Sequence, residues 1–480
     1  MRDCQIQISG ISLLSVVSVE MYKCVNEHGF IKIKGTIEDK NEATFIQKFT
    51  QEEHARVDIV DEEGSSCTIF CGVVTQLEVK SAGYEKTIEI EIMGATFLMD
   101  CSANTKSFQD KSMTYDAIFD VIDAKYIGAR CMTQEGNKEI GDVIVQYKES
   151  DWEFAKRLAS HFNQPIVPLW KSGKIVYSVG IVESSMVSAI KEEHYKVNTR
   201  KSDYYFNKEN GLDEYSMEDA KSYEIVSRDF VELGDAVAFH GKTLYVYEIK
   251  SKYVGEELLH TYSLRTESGF KLVKRFNMSL IGASLDASIL SVQKDTVKIH
   301  ISVDASQDEG SAKWFPYSTV YSSADGTGWY CMPEPGDKVR LYFPNEKEAE
   351  GYVISSINVG GSEGASSGGT QGGAAGGSAP RSNPDNKSIS NKYNKQIELT
   401  PTSITMTNNA GLSVCLDDEE GITIVSNKKV SIIADEDIMM VSSAGQLNVM
   451  ASDSIVLSQG TSKMTLQDDV ILEGAKFLVQ

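Results

Sequence analysis

Carboxylates standing close together are the first residues of this 480-residue chain whose types and spacing could do chemistry. Asp417–Glu420 reads DDEE and Asp435–Asp437 reads DED. Paired acids divide into general acid and base in glycoside hydrolysis, and clustered carboxylate oxygens ligate calcium. Both runs fall at corners between short apolar segments, where solvated charge is expected, so neither is assigned to catalysis or to a metal. Asp325-Gly326-Thr327-Gly328 has the glycines of a phosphate loop but no helix behind it to present its N-terminus. It reads as a tight turn.

Cys67 and Cys71 sit four apart in a strand-like run, which places both thiols on one face and reads as a pair of buried free cysteines. The eight cysteines form no disulfide framework and no C-x-x-C, so zinc is not expected. No G-x-S-x-G, H-E-x-x-H or Ser/His/Asp constellation stands out. The sequence therefore assigns no catalytic, cofactor-binding or metal-ligating residue and calls for no cofactor. The expectation is a protein without enzymatic chemistry of its own.

The elements around these residues are those of a folded chain, 41% hydrophobic and 24% charged. A formal charge of −22 argues against nucleic-acid or anionic-membrane binding, which needs clustered Lys and Arg. The apolar run from Ile11 to Val19 is broken by Ser12, Ser15 and Ser18 and followed by Glu20, so it reads as a strand and not as a signal peptide. No apolar run approaches the ~18 residues of a membrane span. The expectation is synthesis in the cytoplasm, with any export left to another machine.

Residues 1–100 alternate as strands, for example in IKIKGTI and TIEIEIMG, and suggest an antiparallel barrel or sandwich. Helical spacing enters at 101–180, an α/β insertion. SMTYDAIFDVIDAKY offers Ser112 or Thr114 as cap, and ESDWEFAKRLASHF sets Trp152, Ala155, Leu158, Ala159 and Phe162 along one stripe behind Asp151 as cap. Trp152 reads as a core anchor holding that helix to its barrel, with a subunit contact as the other use of so large an aromatic. A second β-domain spans 181–279 with turns at Gly234-Asp235 and Gly241-Lys242. A small β-unit of OB size fills 280–358, and it lacks the basic, aromatic-lined stripe of an oligonucleotide binder. Residues 359–388 are a Gly/Ser-rich flexible linker.

After the linker, 389–480 carries apolar residues in pairs one residue apart: Ile397/Leu399, Ile404/Met406, Leu412/Val414, Ile422/Ile424, Val430/Ile432, Ile438/Met440, Leu447/Val449, Ile455/Leu457, Met464/Leu466, Val470/Leu472 and Phe477/Val479. From Val430 to Ile455 the first members step by 8, 9 and 8 residues. A short strand with both ends apolar points them to one face and buries too little alone. Stacked units share one interior, but a complete single-chain coil needs about 20 residues or more. An eight-residue unit makes one side of a triangular coil. Three intertwined chains, each giving one side, make a stiff prism with few lateral edges, and an ordinary antiparallel sandwich with similar alternation is the other reading.

Three stretches carry a resemblance that spans nearly the whole chain. IFCGVVTQLEV is similar to the first hub strand of the VgrG family, through Phe70, Gly72 and Val74. ESDWEFAKRLASHF resembles its E-S/T-D-W-E-F helix, through Asp151, Trp152, Phe154, Arg157 and Leu158. MPEPGDKVRLYFPN resembles its needle-base barrel, through Pro333, Gly336, Asp337, Val339 and Phe343. Their order looks like the hub and needle proteins of contractile phage tails fused in one chain.

The resemblance implies a mainly β fold: two hub β-barrels with an α/β insertion, an OB-fold barrel, and a C-terminal intertwined trimeric triangular β-helix, or β-prism. It implies a homotrimeric spike of a contractile injection machine that docks on the hexameric inner tube, contacts baseplate proteins and meets a target membrane only on injection. Effector cargo and a PAAR-type tip protein are the further partners it implies, with no nucleic acid. Two departures are visible. The position where some phage needles hold a lysozyme domain holds only the linker. Metal-stabilised tips in the family use His-x-His sets, whereas the last histidine here is His300; Phe477 and Val479 then become axis or cap contacts. The alternative from another class is a trimeric β-solenoid fibre or adhesin that binds or cleaves surface glycan.

Overall fold

The computed structural model describes residues 5–38, 45, 54–60, 64–82, 85–182, 187–191, 194–254, 257–321, 323, 329–357, 383 and 385–476. Residues 359–382 of the expected linker, the Asp325–Gly328 turn, and Phe477 and Val479 lie outside them. The chain divides into two units, 1–363 and 364–480.

The alternating runs of the first unit become strands. β1 (Gln5–Ile8), β2 (Ser15–Cys24), β3 (Phe30–Ile37), β4 (His54–Val60), β5 (Ser66–Ala82) and β6 (Glu85–Gly94) come first. The insertion follows, with β7 (Ala103–Phe108), α1 (Tyr115–Asp123), β8 (Arg130–Thr133), β9 (Ile144–Ser150), α2 (Asp151–Ser160), β10 (Ile166–Pro168) and β11 (Val176–Val179). Next are β12 (Val187–Ala189), β13 (His194–Thr199), α3 (Lys201–Glu209), β14 (Lys221–Ser227), β15 (Ala236–Phe239), β16 (Lys242–Val254) and β17 (Glu257–Arg265).

The two β-regions flanking the insertion are one sheet. Its order is β1-β4-β5-β6-β3-β2-β16-β17-β14-β13, with β15 on β16 and β12 on β15. The seam is the antiparallel pair β2–β16, running from Glu248↔Cys24 to Lys252↔Glu20. Alternation along β3 and β17 sends Ile31, Ile33, Leu258, Tyr262 and Leu264 into one shared apolar core. Lys23 is fully buried at this seam, bonded to Glu232 at 2.6 Å and set over the rings of Trp170 and Phe230. Burial pushes its ammonium below the ordinary lysine range, against the pull of Glu232.

Gly72 and Gly94 stand opposite each other on β5 and β6. A Cβ on Gly72 would come 2.1 Å from the Met93 carbonyl oxygen, and one on Gly94 2.0 Å from that of His28. Close backbone approach, not a special dihedral, demands glycine at both. On β5, Cys71 is buried but Cys67 is exposed, contrary to expectation. The pairing with β4 skips Ile69 between Thr68 and Phe70, so the two-residue alternation does not carry across that bulge.

The last part of the first unit is a five-stranded antiparallel sheet. It consists of β18 (Ser284–Gln293), β19 (Thr296–Ile301), β20 (Trp314–Pro316), β21 (Lys338–Tyr342) and β22 (Tyr352–Ile357), in the order β20-β19-β18-β21-β22. Ala287, Ile289, Ile299, Phe315, Leu341 and Phe343 fill its own core. Gly336, at φ +95, makes the turn into β21, where Asp337 accepts the Glu334 N–H.

The second unit holds two antiparallel meanders. The first is β23 (Lys387–Ser390), β24 (Gln396–Leu399), β25 (Ser403–Thr407), β26 (Leu412–Asp417) and β27 (Gly421–Ser426). The second is β28 (Ile455–Gln459), β29 (Ser462–Leu466) and β30 (Val470–Glu473). Residues 427–454 carry no strand. The single chain shows these two meanders and not the expected three-chain prism.

Candidate functional site

The candidate functional residues fall in two places, the α2 helix and the apolar face of the second unit. The α2 helix is capped by Ser150, not by the expected Asp151. Ser150 Oγ accepts the Glu153 N–H at 3.0 Å while Glu153 accepts the Ser150 N–H at 3.2 Å, a reciprocal capping box. Thr114 caps α1 by a single bond, its Oγ1 accepting the Ala117 N–H.

Asp151 is fully buried one residue inside α2 and works as a knot. Its carboxylate accepts from Lys125 Nζ (2.7 and 2.9 Å), Tyr126 Oη (2.9 Å), Gln146 Nε2 (2.9 Å) and Asn104 Nδ2 (3.2 Å). These partners tie α2 to the end of α1 and to β7 and β9. Trp152 is buried as the core anchor, 4.9 Å from the His28 ring and 6.0 Å from that of Tyr177. That contact joins the insertion to the β2–β3 region.

Arg157, one turn further on, reaches out of the insertion. Its Nε and Nη2 donate to the two Glu149 oxygens at 2.9 and 2.8 Å, Nη2 also to the Val145 carbonyl at 2.8 Å, and Nη1 to Glu348 at 2.6 Å. Glu348 belongs to the five-stranded module, so a buried guanidinium bridges two modules through two carboxylates. β9 prepares this contact by alternation: Ile144 enters the insertion core, whereas Val143 and Val145 enter the core of the five-stranded sheet.

Further bonds cross the same boundary. Ser107 N and Oγ donate to Asp304 at 3.0 and 2.5 Å, Gln109 Nε2 to the Ile299 carbonyl at 3.2 Å, and Asn277 Nδ2 to the Tyr147 carbonyl at 2.7 Å. Lys313 pairs with Asp142. At the end of α2, burial pushes the His161 imidazole down to about 3, with Lys274 and Arg157 adding repulsion. His161 can therefore stay neutral beside Tyr115 Oη, 2.8 Å from its Nδ1.

The second place is one-sided. Register aligns Ile389, Ile397, Met406, Val414 and Ile424 in one row, and Leu399, Ile404, Leu416 and Ile422 in a second row on the same face. β26 thus enters these rows through Val414 and Leu416, with Leu412 opposite Ser426. Leu457, Met464 and Leu472 repeat the pattern, as do Ile455, Leu466 and Val470. Ile422 is 73% exposed and Ile424 61%. Val430, Ile432, Ile438, Met440, Leu447 and Val449 are exposed as well.

The acidic runs lie at solvated positions. Asp417 Oδ1 accepts the N–H groups of Glu419 and Glu420 at 3.0 Å each, and Asp435–Asp437 are exposed. The motif residues Phe70, Val339 and Phe343 are buried in their cores. Among the described residues no three His, Cys, Asp or Glu converge as metal ligands, and no helix is long and apolar enough to cross a membrane.

Comparison with known proteins agrees with this anatomy. Residues 38–162 match the family described as the phage tail baseplate hub, and residues 287–357 the type VI secretion system/phage-baseplate injector OB domain. An E. coli protein, c3393, is similar at 13% identity and a TM-score of 0.53, over 73% of this chain and 99% of its own; it is a type VI secretion component with structural similarity to the T4 tail proteins gp27 and gp5. The half-lidded Francisella PdpA–VgrG complex is similar at 12% identity and a TM-score of 0.56, over 88% and 87%. Its lidless form gives 11% and 0.54, over 85% and 93%. A search of curated sequences finds no match. With a baseplate-hub domain and an injector OB domain joined through α2, the chain is a hub and spike component of a phage tail baseplate or type VI secretion system. Its fold is similar to that of the VgrG structures above.

Proposed function

We propose that the protein works as a homotrimer, with hub segments 1–100, 101–180 and 181–279, an OB collar at 280–358, a linker at 359–388 and a needle at 389–480. The observation that carries the reading is the apolar face of the second unit, whose two aligned rows stay open in one chain. Burying an Ile or Leu side chain contributes roughly 1.5–3 kcal/mol. Rows of that length are therefore costly to leave in water. Two more copies, each lending a similar face, would close a triangular β-prism around them and give partners to 427–454.

The hub reading follows from the fused sheet. Its two strand sets, β1–β6 and β12–β17, would each form one barrel of the hub, so that three chains would offer six similar faces, the symmetry of a hexameric inner tube. Baseplate proteins would surround that ring. Sheath contraction would then drive the needle outward through the target envelope, together with effector cargo and a PAAR-type cap. No residue is proposed for catalysis; the chain transmits force. The chain would remain in the cytoplasm until it is assembled into the injection particle.

Light scattering of the full chain tests the assembly. A mass three times the 52.9 kDa of one chain is expected. A single-chain mass at micromolar concentration would overturn the trimer and the prism with it.

A further inference from the structure

A cavity of about 430 Å³ opens beside α3, within the first unit and away from the Arg157 bridge. Its chemistry runs against the rest of this acidic chain. Arg265, Arg275 and Lys271 line it, against the single carboxylate of Asp203. Aromatic rings make up much of the remaining wall, with Phe206, Tyr247 and Phe270.

The cations are short of partners. The Arg265 guanidinium lies over the Tyr247 ring, its Cζ 3.7 Å from the ring centroid. Its Nη1 reaches only the Gly269 carbonyl, at 3.4 Å, and its buried Nε has no hydrogen-bond partner. Among the described residues neither Arg265 nor Arg275 makes an ion pair, and Lys271 stands 3.9 Å from Glu214. A guanidinium packed over a ring with donors to spare can take a planar anion in two parallel bonds.

The walls are already in place. Leu272 N donates to the Asn163 carbonyl, Asn163 Nδ2 returns a bond to the Leu272 carbonyl at 3.0 Å, and Arg275 N donates to Ser160 Oγ at 2.8 Å. The cationic segment is thus pinned to the end of α2. Opposite it, Phe206 is half exposed at the mouth, and Asp203 sits in the first turn of α3 with only Ser202 Oγ donating to it.

We infer that this cavity binds an acidic peptide segment of a partner protein, a carboxylate flanked by an apolar or aromatic side chain. Arg265 and Arg275 take the carboxylate, Phe206, Tyr247 and Phe270 hold the neighbouring side chain, and Asp203 accepts a peptide N–H. Asp203 also selects against a phosphate dianion, which its charge repels. A peptide offers anion, donor and apolar body together. A free inorganic anion offers only the first.

Calorimetric titration of the full chain tests the site. The probes are an acetylated, amidated tetrapeptide with adjacent Phe and Asp, its Asn analogue, a tripeptide ending in Phe with a free carboxyl terminus, and inorganic phosphate. The Asp peptide or the free-terminus peptide is expected to bind at least about tenfold tighter than the Asn analogue, and whichever is tighter identifies a side-chain or a chain-end carboxylate. R265Q and R275Q should each weaken the tighter peptide by about tenfold, with R265K intermediate because it keeps charge but not the fork. R275Q, on an exposed side chain, keeps the test open if R265Q fails to fold. Equal affinity for the Asp and Asn peptides with no binding of the free terminus, phosphate binding as tightly as peptide, binding of no peptide, or no effect of R275Q would each overturn the proposal.

Discussion

The two units of this chain treat apolar side chains in opposite ways. In the first, Ile31, Ile33, Leu264 and Phe315 vanish into cores made by the chain's own strands. In the second, Ile404, Ile422 and Ile424 line up just as regularly and remain open to solvent. The same alternation produces both. What differs is where the covering layer comes from: a second layer of the same chain in one case, and another copy, on the proposed reading, in the other. Periodicity alone reports that a face must be buried, not by whom.

Acid should separate the units most. His161, partly buried, and His260, buried, are pushed down to about 3 and about 4 by desolvation, with Lys274 and Arg157 adding to the first and Lys23 to the second. An unfolded imidazole takes its proton near 6.5, so between that value and about 4 the unfolded chain binds the extra protons. Stability is fully present above 6.5 and falls with pH, by about 3 kcal/mol for each histidine at pH 4. No histidine follows His300, so differential scanning calorimetry between pH 7 and 4 should show the first unit's transition dropping further than that of the second.

Breaking the joint comes next. Arg157→Ala leaves the largely buried carboxylates of Glu149 and Glu348 without their shared guanidinium, and should cost about 3–5 kcal/mol in urea unfolding. Adding Glu149→Gln and Glu348→Gln should recover a large part of that loss. Equal stability of Arg157→Ala and the parent chain would remove the bridge from the load path.

Ile424→Ser probes the open face. In a lone chain an exposed residue changes little; in the prism it should remove about 2–3 kcal/mol per chain, seen as a lower concentration-dependent dissociation midpoint in light scattering. The first unit's transition should not move. Gly72→Ala should act in the reverse sense, costing about 1–3 kcal/mol in the first unit through contact with the Met93 carbonyl while leaving the assembly mass unchanged.

Much of the architecture was legible because it rests on short-range patterning. α2 was read from its apolar stripe, and its cap was missed by one residue because Ser150 and Asp151 are both good caps; only the Glu153 bond decides between them. The expected face-sharing of Cys67 and Cys71 failed on a bulge that no local signal announces. Two separate β-domains were expected, and the β2–β16 seam joins them across more than two hundred residues of chain. The cavity beside α3 was not visible at all: Asp203, Tyr247, Arg265 and Arg275 share no motif and no spacing.

The sequence by itself determined the strand and helix periods, the order of modules, the solvated corners of the acidic runs and the repeated apolar pairs, since each depends on residues within a few positions of one another. Only tertiary structure decided that Arg157 would find Glu348 and that the two hub sheets would be one. It also decided that two arginines would meet in a cavity where, among the described residues, neither makes an ion pair. Those outcomes depend on which distant backbones pack together. Pairing partners are chosen by the shape and burial of whole layers, and no local stretch of residues encodes them.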